Sequence, residues 1–312
     1  MITSIVVPCY REAAGLPVLH ARLAAMAETV DTDMEFVFVD DGSADGTPAV
    51  LRKLAESDPR VKYLALSRNF GKEAAMLAGL RAARGDAVVI MDADLQHPPE
   101  LVPRLLDEHL AGADQVVARR DRTNDSPLRR SLSRLYFRLV NSVVEVRLVD
   151  GEGDFRLLSR RALDALLGLT EYNRFSKGLF AWIGFPVAVV PFRSGVREHG
   201  RSSWSLESLV NYGVDGILSF NSKPLRSAIH AGILLVIASA AYLGWTIVNA
   251  LTAGVDTPGY LTSIAAIIGL GGAQMILLGI VGEYVGRIFL ETKRRPHFIV
   301  MDSNIEPPEL PR

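Results

Sequence analysis

Apolar and polar positions alternate along the first 120 residues in a repeating order. Ser4–Val7 and Glu35–Val39 are short runs rich in strand formers. Between them apolar residues recur at Leu16, Leu19, Leu23 and Met26, a spacing that lines one face of a helix over Leu16–Thr29. Strand, helix and strand in that order make a βαβ unit. The pattern continues with a helix over Pro48–Ala55, a strand over Val61–Leu66 and an Ala/Leu-rich helix over Lys72–Ala83 stopped by Gly85. A strand over Ala87–Met91, a helix over Pro99–Ala111 and a strand over Gln115–Ala118 follow. This order predicts an α/β fold, a mostly parallel sheet with helices on both faces. Ligands of such sheets sit at the carboxyl ends of the strands.

The pattern then changes. Leu128–Val143 is a basic helical segment carrying Arg129, Arg130, Arg134 and Arg138. From Trp204 to Phe220 the apolar residues Leu206, Leu209, Val210, Val214, Ile217 and Leu218 share one helical face, which suits a core helix or one lying in a membrane interface. Ala231–Ala253 and Pro258–Gly282 are uncharged runs of about 23 and about 25 residues, and a membrane span needs about 20. Their connecting loop holds only Asp256, whereas Lys223 and Arg226 precede the first run and Arg287, Lys293, Arg294 and Arg295 follow the second. Positive charge at both outer ends predicts a hairpin with both ends cytoplasmic. The chain therefore divides into a cytoplasmic catalytic domain (1–203), an amphipathic interfacial segment (204–226), a transmembrane hairpin (227–286) and a cytoplasmic tail (287–312). The end of that tail, Asn304–Arg312, is proline-rich and is expected to lack order. No internal repeat is present.

Composition sharpens this division. Charged residues make up 22% of the 312, yet mean hydropathy is +0.20, because the last third is apolar and the first two-thirds are not. A net charge of -1 gives no basic field of the kind nucleic acid selects. Cys9 is the sole cysteine, which excludes an intrachain disulfide and a cysteine-based metal cluster. The N-terminus has no basic region ahead of an apolar one, so no signal peptide is expected.

Candidate chemistry gathers at strand ends. Asp92 and Asp94 follow the strand ending at Met91, and Asp40-Asp41 follow the second strand, so both acidic pairs line one crevice. Ionised carboxylates held close repel unless a cation or proton intervenes. A hard divalent ion that also grips phosphate oxygens answers that need, which points to an enzyme acting on a diphosphate-bearing substrate. Asp40-Asp41-Gly42-Ser43, read alone, fits a helix-leading turn equally well. His97 and His199 lack the paired spacing of metal ligands.

Several longer stretches carry a family resemblance. They are Val7-Pro8-Cys9-Tyr10-Arg11-Glu12, Asp40–Thr47, Ser67–Glu73, Asp92–Glu100, Gly153-Asp154-Phe155-Arg156-Leu157, Asn173–Phe185 and Ser219–Arg226, with Gly282–Arg287 after the second apolar run. In that order, and over roughly residues 3–220, they resemble the family 2 glycosyltransferases with a nucleotide-sugar-binding, Rossmann-like GT-A domain. The nearest branch is the polyprenyl-phosphate glycosyltransferases, which include bactoprenol glucosyltransferases and dolichyl-phosphate mannose synthases. Two spans match the glucosyltransferase branch better. The resemblance implies that Pro8, Tyr10, Glu12 and Asp41 hold the nucleoside, with Lys72 and Asp92 also on the nucleotide sugar. It implies Mg²⁺ or Mn²⁺ held by Asp94 with Asp92 and Gln96, and catalytic roles for Asp94 and Asp154. Asp154 would orient the acceptor, bond a sugar hydroxyl or act as a base; capping a following helix is the structural alternative.

The acceptor implied is a lipid phosphate, already ionised at neutral pH because the second pKa of such groups is about 6. No strong base is then required, but cations are. Arg120, Arg129 and Arg197 are candidates, with Ser133 one turn after Arg129, because the guanidinium fork matches phosphate; a solvated surface charge is the alternative for each. After Arg197-Glu198-His199-Gly200, Ser202-Ser203 stands where the family usually has Ser-Lys, leaving Arg201 as the nearby cation. The expected activity is inverting transfer of one hexose, from UDP-glucose in the first instance, to undecaprenyl or decaprenyl phosphate at the cytoplasmic membrane. A GDP-mannose-dependent synthase, a processive polysaccharide synthase and a non-catalytic nucleotide-binding membrane scaffold are the rivals, and self-association is open.

Overall fold

Strand formers in the first third build four parallel strands, β1 (Ile2–Cys9), β2 (Asp33–Asp40), β3 (Val61–Leu66) and β4 (Ala87–Ile90). The computed structural model describes residues 1–120, 141, 149, 151–192, scattered positions between 232 and 252, and 259–305. It divides into two units, Met1–Gly216 with Pro296–Arg312, and Ile217–Arg295.

In the first unit α1 (Leu16–Ala27), α2 (Thr47–Ser57), α3 (Lys72–Ala82) and α4 (Val102–Leu110) connect or follow these strands. Then come β5 (Gln115–Arg120), β6 (Glu152–Ser159), α5 (Arg160–Leu167), α6 (Ser176–Trp182) and β7 (Val187–Phe192). The sheet order is β7-β5-β6-β4-β1-β2-β3-β8, where β8 (Val300–Ser303) comes from the far end of the chain. β6 and β8 run against the others. The chain leaves β1 for β2 and β3 on one side and for β4 on the other. The carboxyl ends of β1 and β4 thus flank the point where strand order reverses, the crevice in which open α/β sheets bind ligands.

Both faces of the sheet are covered. Ile5, Val7, Phe36 and Phe38 point to the face where Leu16, Leu19, Leu23 and Met26 of α1 are buried, as their helical spacing predicts. Each such aliphatic side chain contributes about 1.5–3 kcal/mol on burial. Val6 and Val39 point to the opposite face, against α3. That helix is buried almost all round and is built of small residues, Ala74, Ala75, Ala78 and Gly79, which let it lie close on the strands.

Two strands lie where the apolar pattern gives no warning. β6 alternates charged with apolar residues and inserts between β4 and β5. β8 lies inside the segment read as a tail. Asp302 is ion-paired to Arg52 at 2.8 Å, and the Asn304 side chain accepts from Tyr63 N at 2.7 Å and donates to Val61 O at 3.0 Å. Asn304 is therefore fixed by hydrogen bonds, although the proline-rich end predicted disorder from that residue onward.

In the second unit α7 (Tyr260–Thr292) is 33 residues long, about 50 Å at 1.5 Å per residue. Within it Gly269–Thr292 is long and apolar enough to cross a membrane, and among the described residues it is the single helix that qualifies. The described positions between 232 and 252 are also helical.

Replacing an interior helical glycine by alanine ordinarily gains up to about 1 kcal/mol. At Gly79 the added methyl would stand 2.4 Å from Val6 Cγ1 and 3.0 Å from Val39 Cγ2. Gly79→Ala is expected to destabilise by about 1–3 kcal/mol instead, seen as a lower thermal midpoint of the detergent-solubilised protein. An unchanged or raised midpoint would contradict this packing.

Candidate active site

Three loops meet at the carboxyl edge of the sheet. The first, after β1, turns at Arg11, whose φ of 58° lies in the left-handed region. Arg11 N donates to Ser43 Oγ at 2.8 Å and Glu12 N to Thr47 Oγ1 at 3.1 Å, which ties this loop to the one after β2. The second loop needs Gly42: its φ is 67°, and a Cβ there would fall 2.2 Å from the backbone carbon of Arg68. Asp41 is buried beside it, and its carboxylate accepts from Phe70 N at 2.7 Å and Gly71 N at 2.9 Å. Burial pushes this carboxyl up, and the two backbone donors work against that shift. Asp41 thereby fixes the two residues that precede Lys72.

The third loop follows β4. Ile90 pairs with Arg156 across the antiparallel β4–β6 ladder. Beyond this last pair the chain leaves the ladder, with Asp92 in the loop after β4 and Asp154 near the start of β6. Lys72, the first residue of α3, places its Nζ 2.6 Å from Asp92 Oδ1 and 2.6 Å from Asp154 Oδ2. Burial opposes the charge on Lys72, but Asp154 and Asp92 outweigh it and push its pKa up. Burial likewise opposes ionisation of Asp154; Lys72 first, then Lys177 and Arg156, overcome it and hold that carboxyl down at about 2. Arg156 is itself buried, with its guanidinium 3.7 Å above the centre of the Phe180 ring and Nη2 donating to Gly153 O at 2.8 Å. Burial lowers its pKa to about 10, against the pull of Asp154 and Glu152.

Leu95 takes a φ of 62° with its side chain buried, and this turns the acidic loop back on itself. Gln96 N then donates to Asp94 Oδ1 at 3.1 Å. His97 Nδ1 accepts from Asp92 N at 3.0 Å while its ring stacks on Phe155 at 4.8 Å. Burial lowers the His97 pKa, so this residue serves as a neutral prop for the loop. Asp92, Asp94 and Gln96 offer hard oxygen donors. Among the described residues no three His, Cys, Asp or Glu side chains converge as a complete ligand set.

Of the residues singled out by sequence, Asp92, Asp154 and Lys72 are in direct contact, and Asp41 adjoins them through Phe70 and Gly71. Pro8 is buried in β1, and Tyr10 is exposed at its end with Arg11 over its ring. Arg120 is exposed at the same edge, at the end of β5, with its backbone N bonded to Gly151 O at 3.1 Å. Arg129, Ser133 and Arg197 lie outside the described residues, as does Trp204–Phe220. Sequence reading missed Arg156, Lys177 and the pair Glu73–Ser176. The signal was there in part: Glu73 follows Lys72, and Ser176-Lys177 sits inside a stretch already singled out for its resemblance.

Residues 4–167 match the family described as glycosyl transferase family 2. The chain belongs to that family. Residues 223–288 match the GtrB C-terminal hairpin. The Bacillus subtilis protein CsbB is 48% identical over 99% of this chain and 94% of its own length. A Shigella flexneri protein named SfII prophage-derived bactoprenol glucosyl transferase is 39% identical over 97% of this chain and 99% of its own. Among solved structures, glucosyl-3-phosphoglycerate synthase of Mycobacterium tuberculosis, crystallised with Mn²⁺, UDP-glucose and phosphoglyceric acid, aligns at 23% identity and a TM-score of 0.46. The alignment covers 70% of this chain and 79% of that one. Membership of family 2 makes this chain a glycosyltransferase, an enzyme, and the sheet described above is its GT-A α/β domain.

Glu73 gives the site a pH-dependent element. Its Oε1 accepts from Ser176 N at 3.3 Å, and the Ser176 hydroxyl bonds Oε2. Burial pushes the Glu73 carboxyl up to about 7 from an ordinary 4.5. A raised folded pKa means the native state holds a proton that the unfolded chain has lost, so this contribution is full below 4.5 and fades as pH rises through about 7. The stability of the wild type relative to Glu73→Gln is therefore expected to fall between about pH 5 and about pH 8. Thermal midpoints across that range test this; a constant difference would refute the assignment.

Proposed function

We propose that the chain catalyses transfer of a single hexose from a nucleoside diphosphate sugar, UDP-glucose first among them, to polyprenyl phosphate, giving a polyprenyl-phosphate sugar. The observation that carries this reading is the Lys72 ammonium held between Asp92 and Asp154 where the sheet reverses its order. Near-full-length likeness to relatives named bactoprenol glucosyl transferase supports the lipid acceptor and the sugar.

Pro8, Tyr10, Glu12 and Asp41 would receive the nucleoside, and Lys72 would meet the diphosphate as a point charge. Asp94, with Asp92 and Gln96, would hold Mg²⁺ or Mn²⁺, which supplies Lewis-acid stabilisation of the leaving diphosphate. Asp154 is held ionised by its cations and is a weak base at that pKa, so its part is to orient the sugar or the acceptor. The acceptor phosphate brings its own oxyanion. Its oxygen forms a bond to the anomeric carbon as the bond from that carbon to the diphosphate breaks, and the nucleoside diphosphate departs. Attack opposite the leaving group inverts the centre, so an α-linked donor gives a β-linked product. Arg120, Arg129, Ser133 and Arg197 would receive the lipid phosphate.

A two-span hairpin over about 231–253 and 258–282, with both ends cytoplasmic, would keep this site at the acceptor headgroup. The match of residues 223–288 to a hairpin family and the length of α7 support it.

Membranes carrying the enzyme, given a panel of nucleotide sugars and a short polyprenyl phosphate, are expected to yield one hexose per lipid by mass and a β anomer by NMR. Polymer, or an α-linked product from an α-linked donor, would overturn the reading. A chelator should abolish transfer and Mg²⁺ or Mn²⁺ restore it. Asp94→Ala should reduce turnover by about 100-fold or more; turnover indifferent to both treatments would remove the acidic loop from the reaction.

A further inference from the structure

Glu73 occupies an expensive position for a carboxyl. In the first turn of α3 an acidic side chain gains from the helix dipole while still in water. Here it is partly buried, and among the described residues it forms no ion pair; its hydrogen-bond partners are the backbone N and hydroxyl of Ser176. A partly buried carboxyl with so neutral a hydrogen-bond partner costs free energy; the nearby charge of Asp154 adds to that cost and that of Lys72 offsets part of it. Burial at such a cost calls for a compensating role, and the neighbours of both residues suggest one. Lys72 precedes Glu73 and bonds Asp154. Lys177 follows Ser176, which is itself buried, and helps hold Asp154 ionised. The pair spans 103 positions of sequence and joins the two elements that bring cations to one carboxylate.

We propose that Glu73 is a positioning residue for Asp154, clasping the first turn of α3 to the start of α6 through Ser176 so that Lys72 and Lys177 bear on Asp154 together. The inference rests on Asp154 taking part in transfer, as proposed above. The clasp is a matter of hydrogen bonding rather than charge. A neutral side chain with the same reach can replace it: glutamine keeps an acceptor for Ser176 N and offers a donor to the hydroxyl oxygen. Alanine at either end opens it.

The test uses the full chain in detergent micelles, with steady-state transfer to a short polyprenyl phosphate and a thermal midpoint for each variant. Glu73→Ala and Ser176→Ala are each expected to lower kcat by about tenfold or more while KM for the nucleotide sugar changes by less than about threefold. Glu73→Gln should stay within about threefold of the wild type on both parameters. Ser176→Ala removes one hydroxyl and carries the test should Glu73→Ala fail to fold. An unchanged kcat in the alanine variants, a rise in KM alone, or a loss in Glu73→Gln as deep as in Glu73→Ala would each overturn the clasp. Asp154→Asn is measured alongside. Wild-type turnover in that variant would remove the role of Asp154 on which the inference stands. An inactive Asp154→Asn beside fully active clasp variants would remove the clasp alone.

Discussion

The site depends on one ammonium group between two carboxylates. Asp92, in the loop after β4, and Asp154, in β6, both meet the Lys72 ammonium and would repel each other without it. Lys72 offsets that repulsion, and its position is fixed from three directions. Asp41 pins the backbone of Phe70 and Gly71 just before it. The close seat of Gly79 on Val6 and Val39 fixes the helix that follows it. The β4–β6 register decides where its two partners stand. The interior packing of the sheet thus sets the geometry of the charges at its edge.

Much of this was legible in the sequence, for physical reasons. The stripe Leu16, Leu19, Leu23 and Met26 has one period and one buried face, so it reads unambiguously as a helix. β1 to β4 are buried on both faces and show as continuous apolar runs. An acidic pair directly after such a run stands out because nothing in a core would tolerate it. β6 hid because it begins inside the site: Glu152, Asp154 and Arg156 break the apolar signal there. β8 hid because four residues with an aspartate and a serine carry no period at all. Its partners lie some 240 positions away, as with Asn304 and Tyr63, a distance no local pattern spans. Glu73 and Ser176 meet in the same way, through the fold alone.

The charges around Asp154 bear on how a carboxylate-lined crevice can receive phosphate. Asp92, Asp94 and Asp154 alone would exclude both a diphosphate and a lipid phosphate dianion. Lys72, Lys177 and Arg156 stand on the other side of that balance. Arg156 does so from a buried place over Phe180, where its charge is weakly screened and its position is fixed. Glu73 is the carboxyl whose pKa burial lifts to about 7, which removes part of a further negative charge at neutral pH.

That balance also constrains the chemistry of Asp154. A general base works best with a pKa near the working pH, and the cations around Asp154 move it in the opposite direction. The same cations make it a steady acceptor of hydrogen bonds, suited to hold a sugar hydroxyl or to align an incoming group. A phosphate acceptor needs no proton removed before it attacks. An alcohol acceptor would need one removed, and the strongly ionised Asp154 is poorly suited to that work. The lipid phosphate proposed as acceptor arrives already charged and makes no such demand on Asp154.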